Sequence, residues 1–137
     1  MTYNILYIED NPDNMMLVQR ALEARGYRLL KAMKGIDGVA TAESETVDLI
    51  LLDINLPDID GYEVARRLRS STKLELARVP IIAVTANALK GDAEKALEAG
   101  CVNSFFPPQK MRVVREHLWA SSSCQHFCLP PTLLLEL

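Results

Sequence analysis

The chain has 137 residues, 49% of them hydrophobic and 24% charged, enough apolar material for one globular domain with its own core. Its formal charge of −3, from 15 basic and 18 acidic residues, argues against the basic face that nucleic-acid binding requires. The apolar runs are too short to span a membrane and no signal peptide opens the chain, so a cytoplasmic protein is expected.

Short apolar runs alternate with amphipathic stretches. Residues 4–8 read as a strand. Asp13 is placed to cap a helix over 13–25, with Met16, Leu17, Ala21 and Leu22 as its inward stripe, and Gly26 stops it. Residues 28–32 form a weaker strand pattern. Residues 36–44 read as a helix, with Val39, Ala40 and Glu43 at helical spacing. The run 49–53 is apolar on both faces, as parallel strands usually are. Pro57 to Gly61 is a turn and loop, followed by a third helix to Arg69. A strand over 81–85 follows Pro80. A helix over 90–99 is closed by Gly100, and a fifth strand (102–106) and fifth helix (111–119) complete the pattern. Five strand–helix units with right-handed crossovers predict a doubly wound (βα)5 parallel sheet covered on both faces.

From about Ala120 the composition changes, so the expected organisation is a domain over 1–119 and a tail over 120–137 too short to be an output domain. Cys101, Cys124 and Cys128 are odd in number and lack disulfide-framework spacing. Cys124, His126 and Cys128 crowd three soft ligands together without a clear fourth, which is not zinc-finger spacing.

Two of the strands end in acids: Glu9-Asp10 after the first, Asp53 at the end of the third. In a parallel sheet those ends share one edge, where open α/β sheets place ligands. Two like unit charges ~4 Å apart cost about 4 kcal/mol at an effective dielectric near 20. A proton or a cation must answer that charge. Mg²⁺, a hard cation that takes oxygen ligands, suits such a set.

Ile8-Glu9-Asp10-Asn11-Pro12, Leu51 to Gly61 and Pro80 to Ala86 together resemble the receiver domain of two-component response regulators, in order and spacing from Tyr3 to about Cys101. The resemblance implies a flavodoxin-like, five-stranded sheet of order 2-1-3-4-5. It implies Asp53 as phosphoacceptor, and Glu9, Asp10, Asp53 and the backbone carbonyl of Asn55 as Mg²⁺ ligands. Thr85 becomes the phosphoryl contact and switch. Asn11 and Asn87 either border the site or are solvated loop residues. The implied donor is a phosphohistidine on a histidine kinase or phosphotransfer protein. The chemistry agrees: a carboxylate is a competent nucleophile, and phosphoryl transfer needs positioning and charge neutralisation above all.

The carboxyl-terminal end departs from the family. Counted from Gly100, Ser104 stands where the family has an aromatic and Pro107 where it has a lysine, with Pro108 matching the next proline. Phe105 and Lys110 are the nearest substitutes. A proline offers neither a cation nor a backbone donor.

The leading expectation is a stand-alone phosphorylation switch acting through a downstream protein target, not an enzyme, with self-catalysed phosphorylation and dephosphorylation open to it. The alternative is a degenerate receiver, a constitutive binding module. Other enzyme classes fit poorly. Dehalogenase-type phosphatases want an Asp where Asn55 stands, no phosphate loop of the G-x-x-x-x-G-K type appears, and His117 and His126 both lie in the departing end.

Overall fold

The computed structural model describes residues 3–84, 92–101 and 103–105. Thr85, Asn87, Pro107, Lys110, the expected helix over 111–119 and the tail over 120–137 lie outside the described residues. The elements are β1 (Asn4–Ile8), α1 (Pro12–Glu23), β2 (Arg28–Ala32), α2 (Gly35–Ser44), β3 (Leu49–Asp53), α3 (Gly61–Arg69), α4 (Leu74–Arg78), β4 (Ile81–Val84), α5 (Asp92–Glu98) and β5 (Asn103–Phe105). All strand pairings are parallel and the sheet order is β2-β1-β3-β4-β5.

The central strands are buried on both faces, which explains their unbroken apolar runs: Ile5 to Ile8, Leu49 to Leu52 and Ile81 to Ala83 are completely shielded from solvent. Alternation along each strand divides them between two cores. Leu6, Ile8, Ile50, Leu52, Ile81 and Ala83 pack with Val64, Ala65 and Leu68 of α3, Leu76 of α4 and Ala96 of α5. Ile5, Tyr7, Leu49, Leu51, Ile82 and Val84 share the opposite core with Met15, Val18 and Leu22 of α1. Full burial of each such side chain stabilises the fold by about 1.5–3 kcal/mol relative to exposure.

Two local expectations are corrected. Asp13 is not the cap of α1. Asn11 is, its side chain accepting from the backbone N–H groups of Asp13 and Asn14, with Pro12 in the first turn. The inward stripe is Met15, Val18 and Leu22, while Met16 and Leu17 are 47% and 67% exposed. The early start sets the rotation of the helix, and the 3.6-residue period then turns Met16 and Leu17 to solvent. The helix ends at Glu23, two residues short of the expected end at 25, and the turn that follows it reaches Gly26, whose φ of 82° favours a residue without a β-carbon. The short helix α4 has no counterpart among the predicted elements, because its 5 residues are too few to display a period.

α2 starts one residue earlier than expected, at Gly35. Its N-cap, Lys34, supplies no side-chain cap. Asp58, from the loop after β3, does so instead: Gly35 N–H donates to Oδ1 at 2.8 Å and Ile36 N–H to Oδ2 at 2.9 Å. That cap ties the β3–α3 loop to the neighbouring helix. Among the described residues, no helix is long and apolar enough to cross a membrane.

Candidate acidic phosphoacceptor site

The site is a consequence of register. β1 and β3 pair Ile8 with Leu52, so the next residues on each chain, Glu9 and Asp53, come side by side. On the other side of β3, Asp53 pairs with Val84. Asp10 follows Glu9 where β1 gives way to the turn into α1. Glu9, Asp10 and Asp53 thus present carboxylate oxygens within 4.8 Å of one another. Glu9 is 4% exposed, Asp53 is 8% exposed and Asp10 lies open to solvent.

Each buried acid has hydrogen-bond donors. The Tyr7 hydroxyl donates to Glu9 Oε2 at 2.9 Å, and the backbone N–H of Asn11 donates to Oε1 at 3.3 Å. The Asn55 N–H donates to Asp53 Oδ1 at 3.2 Å. Among the described residues, the two ion pairs join Glu63 to Arg66 and Arg67, far from this chemistry in role, and none involves the three acids.

Electrostatics follow from that arrangement. Burial pushes the Asp53 carboxyl from 3.8 up to about 7. The Glu9 charge, a side-chain hydrogen bond with Glu9 and the Asp10 charge act in the same direction, while the Asn55 N–H opposes them. Burial also drives the Tyr7 hydroxyl well above its ordinary value, with the Glu9 charge next in importance, so Tyr7 stays protonated and remains a donor. Without a cation, therefore, the pocket tends to hold a proton. Three carboxylates offering only oxygen, two of them buried and without a paired cation among the described residues, fit a hard divalent ion such as Mg²⁺.

The loop after Asp53 is shaped by Gly61. Its N–H donates to the Ile54 carbonyl at 2.9 Å, and the Asp60 side chain caps α3 by accepting from Glu63 N–H at 2.8 Å. The structure brings the carboxylates of Glu9, Asp10 and Asp53 together, and Asn55 touches Asp53 through its backbone N–H. Ser104 and Phe105 fall on β5, opposite Ala83 and Val84. Tyr7 and Asp58 were not anticipated. Tyr7 had a signal: a lone tyrosine in an aliphatic strand, two residues before an acid and so on the same face.

A parallel sheet of this order, with an acidic trio at its carboxyl edge, is a flavodoxin-like α/β domain with a candidate metal site at the end where such sheets place their ligands. Residues 5–118 match the response regulator receiver domain family, and the chain belongs to it. It is 41% identical over 101 residues to the polar-differentiation response regulator DivK of Brucella ovis, covering 74% of this chain and 80% of that protein. Among solved structures, it superposes with a TM-score of 0.75 and 39% identity on the receiver domain of a sensor histidine kinase from Pseudomonas aeruginosa PAO1, covering 85% of this chain and 95% of that one. That receiver carries a magnesium ion coordinated in its active-site cleft. The receiver domain of Ssk1 from Saccharomyces cerevisiae, solved with the histidine phosphotransfer protein Ypd1, aligns with a TM-score of 0.73 and 27% identity, over 84% of this chain and 85% of that one.

Proposed function

We propose that this protein is a phosphorylation switch of the cytoplasm in which Asp53 accepts a phosphoryl group from a phosphohistidine on a histidine kinase or phosphotransfer protein. The observation that carries this reading is the convergence of Glu9, Asp10 and Asp53 within 4.8 Å at the carboxyl edge of the sheet. Glu9, Asp10, Asp53 and the Asn55 backbone carbonyl are the residues that would hold Mg²⁺. Bound there, the ion would neutralise phosphoryl charge and act as a template for the reacting oxygens.

Asp53 must be ionised to react. One of its oxygens then bonds to phosphorus as the P–N bond of the donor breaks, and the imidazole nitrogen leaves with the electron pair and takes a proton from solvent. Water later attacks phosphorus, the P–O bond to Asp53 breaks, and the carboxylate and inorganic phosphate are released. The protein is a phosphoacceptor that resets itself rather than a turnover enzyme. Thr85 is assigned the phosphoryl contact by its place in the family pattern. The added charge biases a two-state equilibrium and so changes binding of a downstream protein.

The test is incubation with acetyl phosphate or phosphoramidate and Mg²⁺, followed by intact mass measurement. A gain of one phosphoryl group, stable in acid, labile in base and lost in Asp53→Asn, is expected. A second reading, a constitutive binding module, draws on Ser104 and Pro107 at the family's aromatic and lysine positions. Absence of any adduct with either donor would select it.

A further inference from the structure

We infer that Tyr7 is a positioning residue for the metal site: its buried hydroxyl holds the Glu9 carboxylate in the orientation that faces Asp53, before any cation arrives. The inference rests on the reading of Glu9, Asp10 and Asp53 as the metal-binding set.

Tyr7 is 0% exposed, with its ring in the core that also contains Ile5, Met15, Val18 and Leu51. A phenol in such a place needs a partner for its hydroxyl, and Glu9 Oε2 supplies one at 2.9 Å. The other Glu9 oxygen, Oε1, accepts from the Asn11 backbone N–H at 3.3 Å, which is fixed by the start of α1. Glu9 is therefore held from two sides, by a core side chain and by a helix terminus. A glutamate side chain free to rotate loses rotamer entropy when ordered. Here that ordering precedes the ion. Tyr7 acts on the ion only through Glu9, as outer-shell donors do around other metal ligands.

A core tyrosine retained solely for packing would need only its ring. The hydroxyl is the part that distinguishes the two roles, and Tyr7→Phe removes it alone. Calorimetric titration with MgCl₂ of the full chain and of Tyr7→Phe reads the difference directly. Tyr7→Phe is expected to bind Mg²⁺ about tenfold more weakly, at the low end of the roughly 10–100-fold effect of lost outer-shell partners. The acetyl phosphate reaction of the variant should recover its wild-type maximal rate once Mg²⁺ is saturating, so the half-saturating concentration moves and the maximum does not. Equal Mg²⁺ affinity in the two proteins overturns the inference and leaves the metal site standing. No Mg²⁺ binding by the wild-type chain overturns both. A second measurement covers a variant that fails to fold. The chain labelled with 3-fluorotyrosine and carrying Tyr3→Phe, Tyr27→Phe and Tyr62→Phe reports Tyr7 alone by fluorine resonance. That signal should shift on adding Mg²⁺, and a resonance unmoved at saturation counts against the role.

Discussion

Gly61 packs directly against the backbone of Asp53: a β-carbon at position 61 would lie 2.5 Å from the Asp53 carbonyl oxygen and 2.7 Å from Ile54 Cα. The start of α3 can approach the end of β3 this closely only without a side chain, and that approach sets the path of the loop beside the acidic trio. Gly61→Ala should cost about 1–3 kcal/mol, the usual penalty for overpacking a tight site. Denaturant unfolding of the metal-free protein measures the loss, and phosphorylation by acetyl phosphate should slow in parallel because Asp53 is displaced. Unchanged stability together with an unchanged rate would refute this account of the glycine.

The buried acid also makes stability depend on pH. Asp53 has a folded value of about 7 against an ordinary 3.8, so the folded state holds its proton more tightly than the unfolded state. Below about pH 4 both states are protonated and Asp53 is neutral in its effect. Between there and pH 7 the unfolded state gains stability by ionising first, and above pH 7 the penalty is complete. Metal-free protein should therefore lose on the order of 4 kcal/mol from this group as pH rises from 4 to 7, at about 1.4 kcal/mol per pH unit. Asp53→Asn should flatten that part of the profile and be the more stable form at neutral pH. Parallel profiles for the two proteins would show that the pocket imposes no such cost.

Mg²⁺ should relieve the same repulsion. A cation that binds only the folded state stabilises it by about 1–3 kcal/mol at concentrations well above its dissociation constant. Thermal melting with and without MgCl₂ reads this gain. Asp10→Asn should remove most of it, since the exposed carboxylate is the one nearest solvent and the entering ion. A full magnesium-induced shift in Asp10→Asn would exclude Asp10 from the ligand set.

Asp58 acts at a distance from the chemistry. Partial desolvation pushes its carboxyl up, but the N–H groups of Ile36 and Gly35 outweigh this and hold it at about 2. Its stabilising effect should be fully present above about pH 4 and fade as pH falls toward 2. Asp58→Ala should lower the melting temperature at neutral pH and show no loss of its own in that acid range. Backbone amide exchange should quicken at the first turn of α2, where the two N–H groups lose their acceptor.

Arg69 ties the end of α4 to the turn after α5 through backbone carbonyls. Nε and Nη2 donate to Gly100 at 2.9 and 2.7 Å, and Nη1 donates to Ala77 and Val79 at 3.1 and 2.5 Å. Arg69→Ala should cost about 1–3 kcal/mol, since it strands part-buried acceptors that had a charged donor. Arg69→Lys should recover only part of this, because one ammonium cannot reproduce the planar fork. Denaturation midpoints of both variants decide it, and full rescue by lysine would contradict the fork geometry.

Sequence by itself was enough for the strands, the parallel class, the family and the acidic trio. Unbroken aliphatic runs such as Leu49 to Leu52 are typical of strands buried on both faces, and parallel pairing of such strands brings the acids at their ends to one edge. What it left open were relations between distant segments. The rotation of α1 depended on where Asn11 capped it, a matter of one or two residues that turned Met16 and Leu17 outward. The cap of α2 came from Asp58, 23 positions away. The Tyr7–Glu9 bond required a core that buries the ring and points both side chains to one face. Local pattern encodes period and propensity, whereas a hydrogen bond between separated groups exists only once packing has brought them within about 3 Å.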